Sequence, residues 1–353
     1  MSAHKAVCLT MWFPQHNNPR YAALFPRLSP VVRFRKFHLS EHRLIRAAQY
    51  RLWNGLSQVL IYPALIQYLA RKYETLYTIG TEQIRTWPRH RSVVVDLDDP
   101  MFTKAEVSAL NLPQVKALIV TTNKAKILFQ EKGVTAPIHV IPQGVAVGQI
   151  DAAKRHEIRT RFKNEDDIVV GFHAPSLTLA ADGAQRARGN QDDLDFLFQA
   201  LERARQAEPR LKLWLFGNPT ESVKAYVQQE RNDWVKLFGY VELSEMLTYL
   251  ADLDIGVYPR TWSPPPGRFS VKIAQFMACG VPVVSTQLDE GLILEEAGSG
   301  VMCQNLEEFA DALVELARSP GKRSTLGSSG KRYAEQKLEW SVLMPAYLQL
   351  LRE

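Results

Sequence analysis

Short, β-rich apolar runs alternate with longer stretches whose apolar residues return every three or four positions, and the alternation continues along nearly the whole chain. The first kind of run marks strands and the second marks helices that bury one face. In the first half the strand candidates are KAVCLTMW (5–12), PVVRFRKF (30–37), TLYTIG (75–80), SVVVDL (92–97), ALIVTT (117–122) and IHVIP (138–142). Between the second and third lies a helical stretch, roughly 41 to 72, where Leu44, Ala48, Leu52 and Leu56 form an apolar stripe. After IPQGV the pattern dissolves into AVGQIDAAKRHEIRTRFKNEDD, a polar stretch that reads as an interdomain linker. The second half resumes with IVVGFH (168–173), LKLWLFG (211–217), WVKLFG (234–239), LDIGVYP (253–259) and VPVVST (281–286).

Strands separated by helices build parallel sheets from βαβ units, and a chain of 353 residues exceeds one ordinary core. The expected architecture is α/β, with two doubly wound, Rossmann-like parallel-sheet domains. The boundaries fall at 1–150 and 151–335, with a final helix at 336–353 able to cross back to the first domain. Such sheets take ligands at the carboxyl ends of their strands, which places a ligand in the crevice between two facing domains.

Composition changes this picture little. Hydrophobic residues make up 46% and charged residues 23%, ordinary for a folded globular protein. Cys8, Cys279 and Cys303 show neither disulfide-framework nor metal-ligand spacing, so they read as core residues in a reducing compartment. The apolar stretch before Pro14 is too short for a spanning helix and lacks a signal-peptide layout, which predicts a cytoplasmic protein. Charge is more telling when divided by position. The net charge is +8 over residues 1–100 and −2 over the rest. Arg33, Arg35, Lys36, Arg43, Arg46 and Arg51 alternate with Phe34, Phe37, Tyr50 and Trp53, which suits an anionic membrane surface or a solvated helix face. Nucleic acid would fit the charge alone and is not the expected partner.

The sharpest local signal is PPPGRFSVKIAQFMACGVPVVST, residues 264–286. Prolines and a glycine stop the chain, a helix begins at Ser270, and Lys272 falls in its first turn. Unpaired N–H groups and the positive dipole end at such a place hold anions, phosphate above all.

The order GFHAPSL, RGNQDDLDFLFQAL, LKLWLFGN, WVKLFGYVELSEMLTYLADLDIGVYP and GRFSVKIAQFMACGVPVVST resembles the donor domain of retaining, nucleotide-sugar-dependent glycosyltransferases of the GT-B fold, glycosyltransferase family 4. The resemblance is good over about residues 165–300 and looser elsewhere. It implies that the first domain is acceptor-side and the second binds a nucleotide diphosphate sugar. It further implies a glycan or lipid-linked acceptor, a retaining and metal-independent hexosyl transfer in polysaccharide or glycolipid synthesis, and no cofactor. In that family an acidic pair spans the approach to this helix. Here Gly267 and Gln275 stand at the two acidic positions, so Gln275 is left to grip the ribose and Gly267 has no side chain for the sugar. Backbone N–H groups of Phe269, Ser270 and Val271, with Lys272, are then expected to cradle the diphosphate. Arg188 matches the family's second cation, with Arg186 and Arg260 as alternatives; any of the three could instead be a surface charge. His173 lies where the family touches donor phosphates, although a lone histidine is more often structural. Tyr240 and Val241 match the turn beside the nucleobase.

Asp98 and Asp99 stand where the family often carries a histidine facing the transferred sugar. A carboxylate there could bind hydroxyls, take the acceptor proton, or cap the next helix. Asp96-Leu97-Asp98 has the form of a metal-binding D-x-D, but its surroundings belong to a different architecture and no metal is expected. The loop residues His16, Asn17 and Asn18 are candidate substrate contacts, with Pro19 as a helix start the structural alternative. The missing acidic residue at 267 leaves open a non-catalytic protein that binds nucleotide sugars or glycans.

Overall fold

The computed structural model describes residues 6–10, 19–36, 62–183, 193–229, 233–262 and 266–352. The chain forms two compact units. Unit 1 comprises Met1–Gly144, Pro265–Phe269 and Ser341–Glu353; unit 2 comprises Val145–Pro264 and Ser270–Trp340.

Unit 1 runs β1 (Ala6–Thr10), α1 (Pro19–Leu28), β2 (Val32–Lys36), α2 (Tyr62–Lys72), β3 (Thr75–Thr78), β4 (Ser92–Leu97), α3 (Lys104–Leu110), β5 (Val115–Val120), α4 (Asn123–Glu131) and β6 (Ile138–Val140). Its six strands are parallel in the order β2-β1-β3-β4-β5-β6. Every residue of Val93–Leu97 is buried, as a parallel strand covered by helices on both faces requires.

Unit 2 runs α5 (Ala152–Phe162), β7 (Ile168–Leu177), α6 (Leu194–Ala207), β8 (Leu211–Pro219), α7 (Glu221–Gln229), β9 (Val235–Gly239), α8 (Leu243–Leu250), β10 (Ile255–Tyr258), α9 (Val271–Ala278), β11 (Val283–Thr286), α10 (Leu292–Ala297), β12 (Gly300–Cys303), α11 (Leu306–Arg318) and α12 (Pro320–Tyr333). The order β12-β11-β10-β7-β8-β9, all parallel, is doubly wound, and its direction reverses between β7 and β10. The last helix, α13 (Trp340–Arg352), lies almost wholly in unit 1.

Two elements differ from the sequence reading. The polar stretch expected as a linker contains α5, which belongs to unit 2. Only Ile158 of this helix is buried, so no apolar stripe announces it. Its hold is polar: Asp151 caps the Lys154 N–H, Lys154 pairs with Glu245 at 2.5 Å, and Arg155 pairs with Asp252 at 2.9 Å. Strand β12, GVMC, was also missed; it is four residues long at the sheet edge, with little period-two pattern to read. The expected helix at 41–72 is described only over Tyr62–Lys72, and the rest of it lies outside the described residues, together with much of the basic aromatic run.

Candidate functional site

Strand β7 was expected to end at His173, but it continues to Leu177 past an irregularity between His173 and Ser176. Glycine makes this packing feasible. Gly217 on β8 has φ +143°, and a Cβ there would lie 2.0 Å from the Ala174 carbonyl oxygen. His173 therefore sits within the sheet, 7% exposed, its ring edge-on to Phe276 at 5.3 Å. Its Nε2 has no partner among the described residues. Burial, and then the positive charge of Lys272, push its pKa down to about 3, so the imidazole is neutral.

Beside it, where the sheet direction reverses, β10 ends in Tyr258. The Tyr258 hydroxyl donates to Glu290 Oε2 at 2.7 Å, and Arg260 Nη1 donates to the same oxygen at 2.9 Å. Both Tyr258 and Glu290 are buried. Two cations share the tyrosine ring: the Arg260 guanidinium lies 5.3 Å from its centroid and the Lys272 ammonium 6.0 Å, while Lys272 is also 5.3 Å from the Phe172 ring. The Arg260 backbone is clamped by Thr286, which accepts its N–H at 3.1 Å and donates to its carbonyl at 2.7 Å. Lys272 is half-buried; burial pushes its pKa down to about 7, and Glu290 pulls it upward.

Lys272 occupies the first turn of α9, as the sequence predicts. Ser270 is the N-cap residue, yet its side chain makes no capping bond. The first N–H groups of the helix thus receive nothing from their cap, and they start beside two cations and one carboxylate. This is an electropositive helix end suited to a phosphate. Gln275 is buried one turn further along α9, and Val271 is half-buried at its start. Tyr240 is exposed and Val241 buried in the turn after β9. A separate cavity of about 430 Å³ lies at the ends of β7 and β8, and the described residues lining it include Ser176, Thr178, Asp182, Asn218, Thr220 and Glu221.

Unit 1 gathers charge at the end of β4. Asp96 is fully buried and accepts from Arg20 at 2.7 Å, Tyr77 at 2.6 Å and Tyr347 at 3.2 Å. Burial pushes its carboxyl up while Arg20 and the Tyr77 hydroxyl pull it down. A carboxylate so enclosed is a structural anchor, and the D-x-D reading has no support in its contacts. Asp98 is buried and accepts from the amide of Gln143, in the loop after β6. Neither Asp98 nor Asp99 caps the next helix, since Thr103 does. Asp99 is exposed and pairs with Arg268 at 3.2 Å.

Gly267 and Phe269 belong to the short segment assigned to unit 1. Gly267 has φ +82°, and a Cβ there would stand 3.0 Å from the backbone and Cβ of Ala125 in α4. Its carbonyl accepts from Thr122, the N-cap of α4, at 2.7 Å. This backbone demands glycine, which is a physical reason for the missing acidic residue. His16, Asn17, Asn18, Arg186 and Arg188 lie outside the described residues. The sequence reading missed Tyr258, Glu290, Gln143 and Arg268. Glu290 lies in a turn after β11 with only the strand's end as a signal.

Residues 179–319 match the family model described as glycosyl transferases group 1. Over its full length the chain superposes on Anabaena HepE in complex with UDP and glucose, with TM-score 0.70, 17% identity and 99% of each chain covered. Sucrose-phosphate synthase from Thermosynechococcus elongatus gives TM-score 0.72 at 15% identity, over 99% of this chain and 98% of that one. The fold is that of the GT-B glycosyltransferases, and residues 179–319 carry the group 1 match.

Among curated relatives, a GDP-mannose-dependent monoacylated α-(1-6)-phosphatidylinositol monomannoside mannosyltransferase from Corynebacterium glutamicum is 22% identical over 209 residues, 58% of this chain and 53% of the relative. A putative teichuronic acid biosynthesis glycosyltransferase, TuaH from Bacillus subtilis, is 27% identical over 152 residues, 43% of this chain and 34% of the relative. The chain thus matches about half the length of the first relative and a third of the second. The GT-B unit matched by the group 1 model is the one that holds Lys272, Arg260 and Glu290. Among the described residues no helix is long and apolar enough to cross a membrane.

Proposed function

We propose that this GT-B protein transfers a sugar from a nucleotide diphosphate sugar to a glycan or lipid-linked acceptor, with retention and without a metal at the diphosphate. The observation that carries the reading is the pair Lys272 and Arg260 at the uncapped start of α9, inside the group 1 match. When the sugar–phosphate bond breaks, negative charge grows on the departing diphosphate. Fixed cations and helix N–H groups stabilise that charge more than they stabilise the ground state, and this lowers the barrier. Lys272 and Arg260 supply the counter-charge, and His173, neutral and buried beside them, offers a hydrogen-bonding nitrogen without adding charge.

In unit 1, Asp98 is held by Gln143 at a strand end, where it is available to bind sugar hydroxyls or accept the acceptor's proton. The relatives named above act on a lipid-linked mannoside or in teichuronic acid synthesis, and the structural neighbour binds UDP and glucose, which supports a cell-envelope glycan or glycolipid product. The basic first hundred residues suit attachment to an anionic membrane surface. The test is product formation from a panel of UDP- and GDP-sugars with lipid extracts as acceptors. Turnover by the wild type that is lost in Lys272→Ala supports the reading, and equal turnover by both refutes it.

A further inference from the structure

Lys272 and Arg260 are long, flexible cations, and each needs something to hold it where a phosphate can use it. The structure contains one such group that no motif announced. Glu290 is 6% exposed, and among the described residues both of its hydrogen bonds fall on Oε2, from Tyr258 and Arg260. Tyr258 is the platform: Arg260 and Lys272 both lie within 6.0 Å of its ring centroid. Glu290 fixes the Tyr258 hydroxyl and the guanidinium at once. Among the described residues this cluster sets Glu290 beside Arg260 and Tyr258, with Lys272 on the same ring.

We propose that Glu290 is a positioning residue for the donor diphosphate, holding in place Arg260 and the Tyr258 ring against which Lys272 lies. The inference rests on the proposed donor site and adds the group that holds Arg260 and Tyr258 there. Among the described residues, the charged and titratable groups around Lys272 include His173 from β7, Tyr258 and Arg260 from the end of β10, and Glu290 from the turn after β11. His173 is neutral near pH 7, and Lys272 is the group whose charge changes there. Its charged form is lost as pH rises through about 7. Glu290 favours that form, so removing the carboxylate moves the loss to lower pH.

The experiment is calorimetric titration of the full chain with UDP and with GDP between pH 6 and 9, for wild type, Glu290→Gln, Glu290→Asp and Lys272→Ala, with thermal unfolding as the check on folding. In the wild type, affinity is expected to fall by up to about tenfold per pH unit above neutrality. In Glu290→Gln the fall begins at lower pH and affinity at pH 7 drops about tenfold, and Glu290→Asp recovers part of it. If Glu290→Gln does not fold, Tyr258→Phe removes one of the two hydrogen bonds and is expected to shift the profile the same way by less. Wild-type affinity and an unmoved profile in Glu290→Gln, or in Tyr258→Phe where it replaces it, overturn the proposal while Lys272→Ala still abolishes binding. Unchanged binding in Lys272→Ala overturns the donor site itself.

Discussion

Each unit places an arginine, a tyrosine and a carboxylate at the carboxyl ends of a parallel sheet, and the two sets do opposite things. In unit 1, Arg20 and Asp96 have fully buried side chains, and Tyr77 and Tyr347 complete the set. In unit 2, Arg260 and Glu290 retain side-chain exposures of 11% and 5%, and the half-buried Lys272 lies against the same tyrosine ring as Arg260. A closed, fully buried network fixes the fold, because breaking it strands a buried charge. An incompletely closed network with a lysine at a helix start can receive an anion. The residue types are alike; enclosure separates anchor from site.

The largest effect should come from breaking the anchor. Arg20→Ala leaves Asp96 buried and unpaired, and is expected to destabilise the protein by about 3–5 kcal/mol; urea unfolding measures it, and a loss under about 1 kcal/mol would deny the network its structural role. Next comes the site. Lys272→Met keeps the apolar stem and removes the charge, so turnover should fall about 10²–10³-fold, the scale on which a charge-stabilising donor matters. The folded-state pKa of Lys272 lies below its unfolded value, so folding is disfavoured by this group below about pH 7, and that penalty is relieved as pH rises toward the unfolded value. The substitution should therefore leave Tm at or above wild type, whereas a Tm well below wild type would make Lys272 a structural residue like Arg20.

Smaller effects sharpen the contrast. Gly267→Ala adds a Cβ at φ +82° against Ala125 and should destabilise unit 1 by about 1–3 kcal/mol; wild-type stability would show that the segment has room to move. Tyr347→Phe removes one hydroxyl from the anchor and should cost about 1 kcal/mol, read as a small fall in urea midpoint with nucleotide affinity unchanged. Altered affinity would mean that the two networks are coupled.

Much of the fold was legible because buried parallel strands are continuous apolar runs: SVVVDL and IVVGFH could hardly be anything else. Helix α5 was not legible, since only Ile158 of it is buried and its side chains pair instead with residues about 90 positions away, Lys154 with Glu245 and Arg155 with Asp252. At the site, Lys272 and Ser270 could be read from a proline–glycine stop followed by a helix. Glu290 could not, because an acidic residue in a turn is ordinary until folding buries it against Tyr258 and Arg260.

The sequence by itself determined the two-sheet α/β architecture and the position of the phosphate-ready helix, because hydrophobic period and helix-stop chemistry are local properties of the chain. Tertiary structure alone decided that Asp96 is an anchor, that residue 267 must be glycine, and that a glutamate 18 positions after Lys272 governs its surroundings. Burial and charge pairing depend on which distant residues arrive at the same sheet end, and no local pattern encodes that meeting.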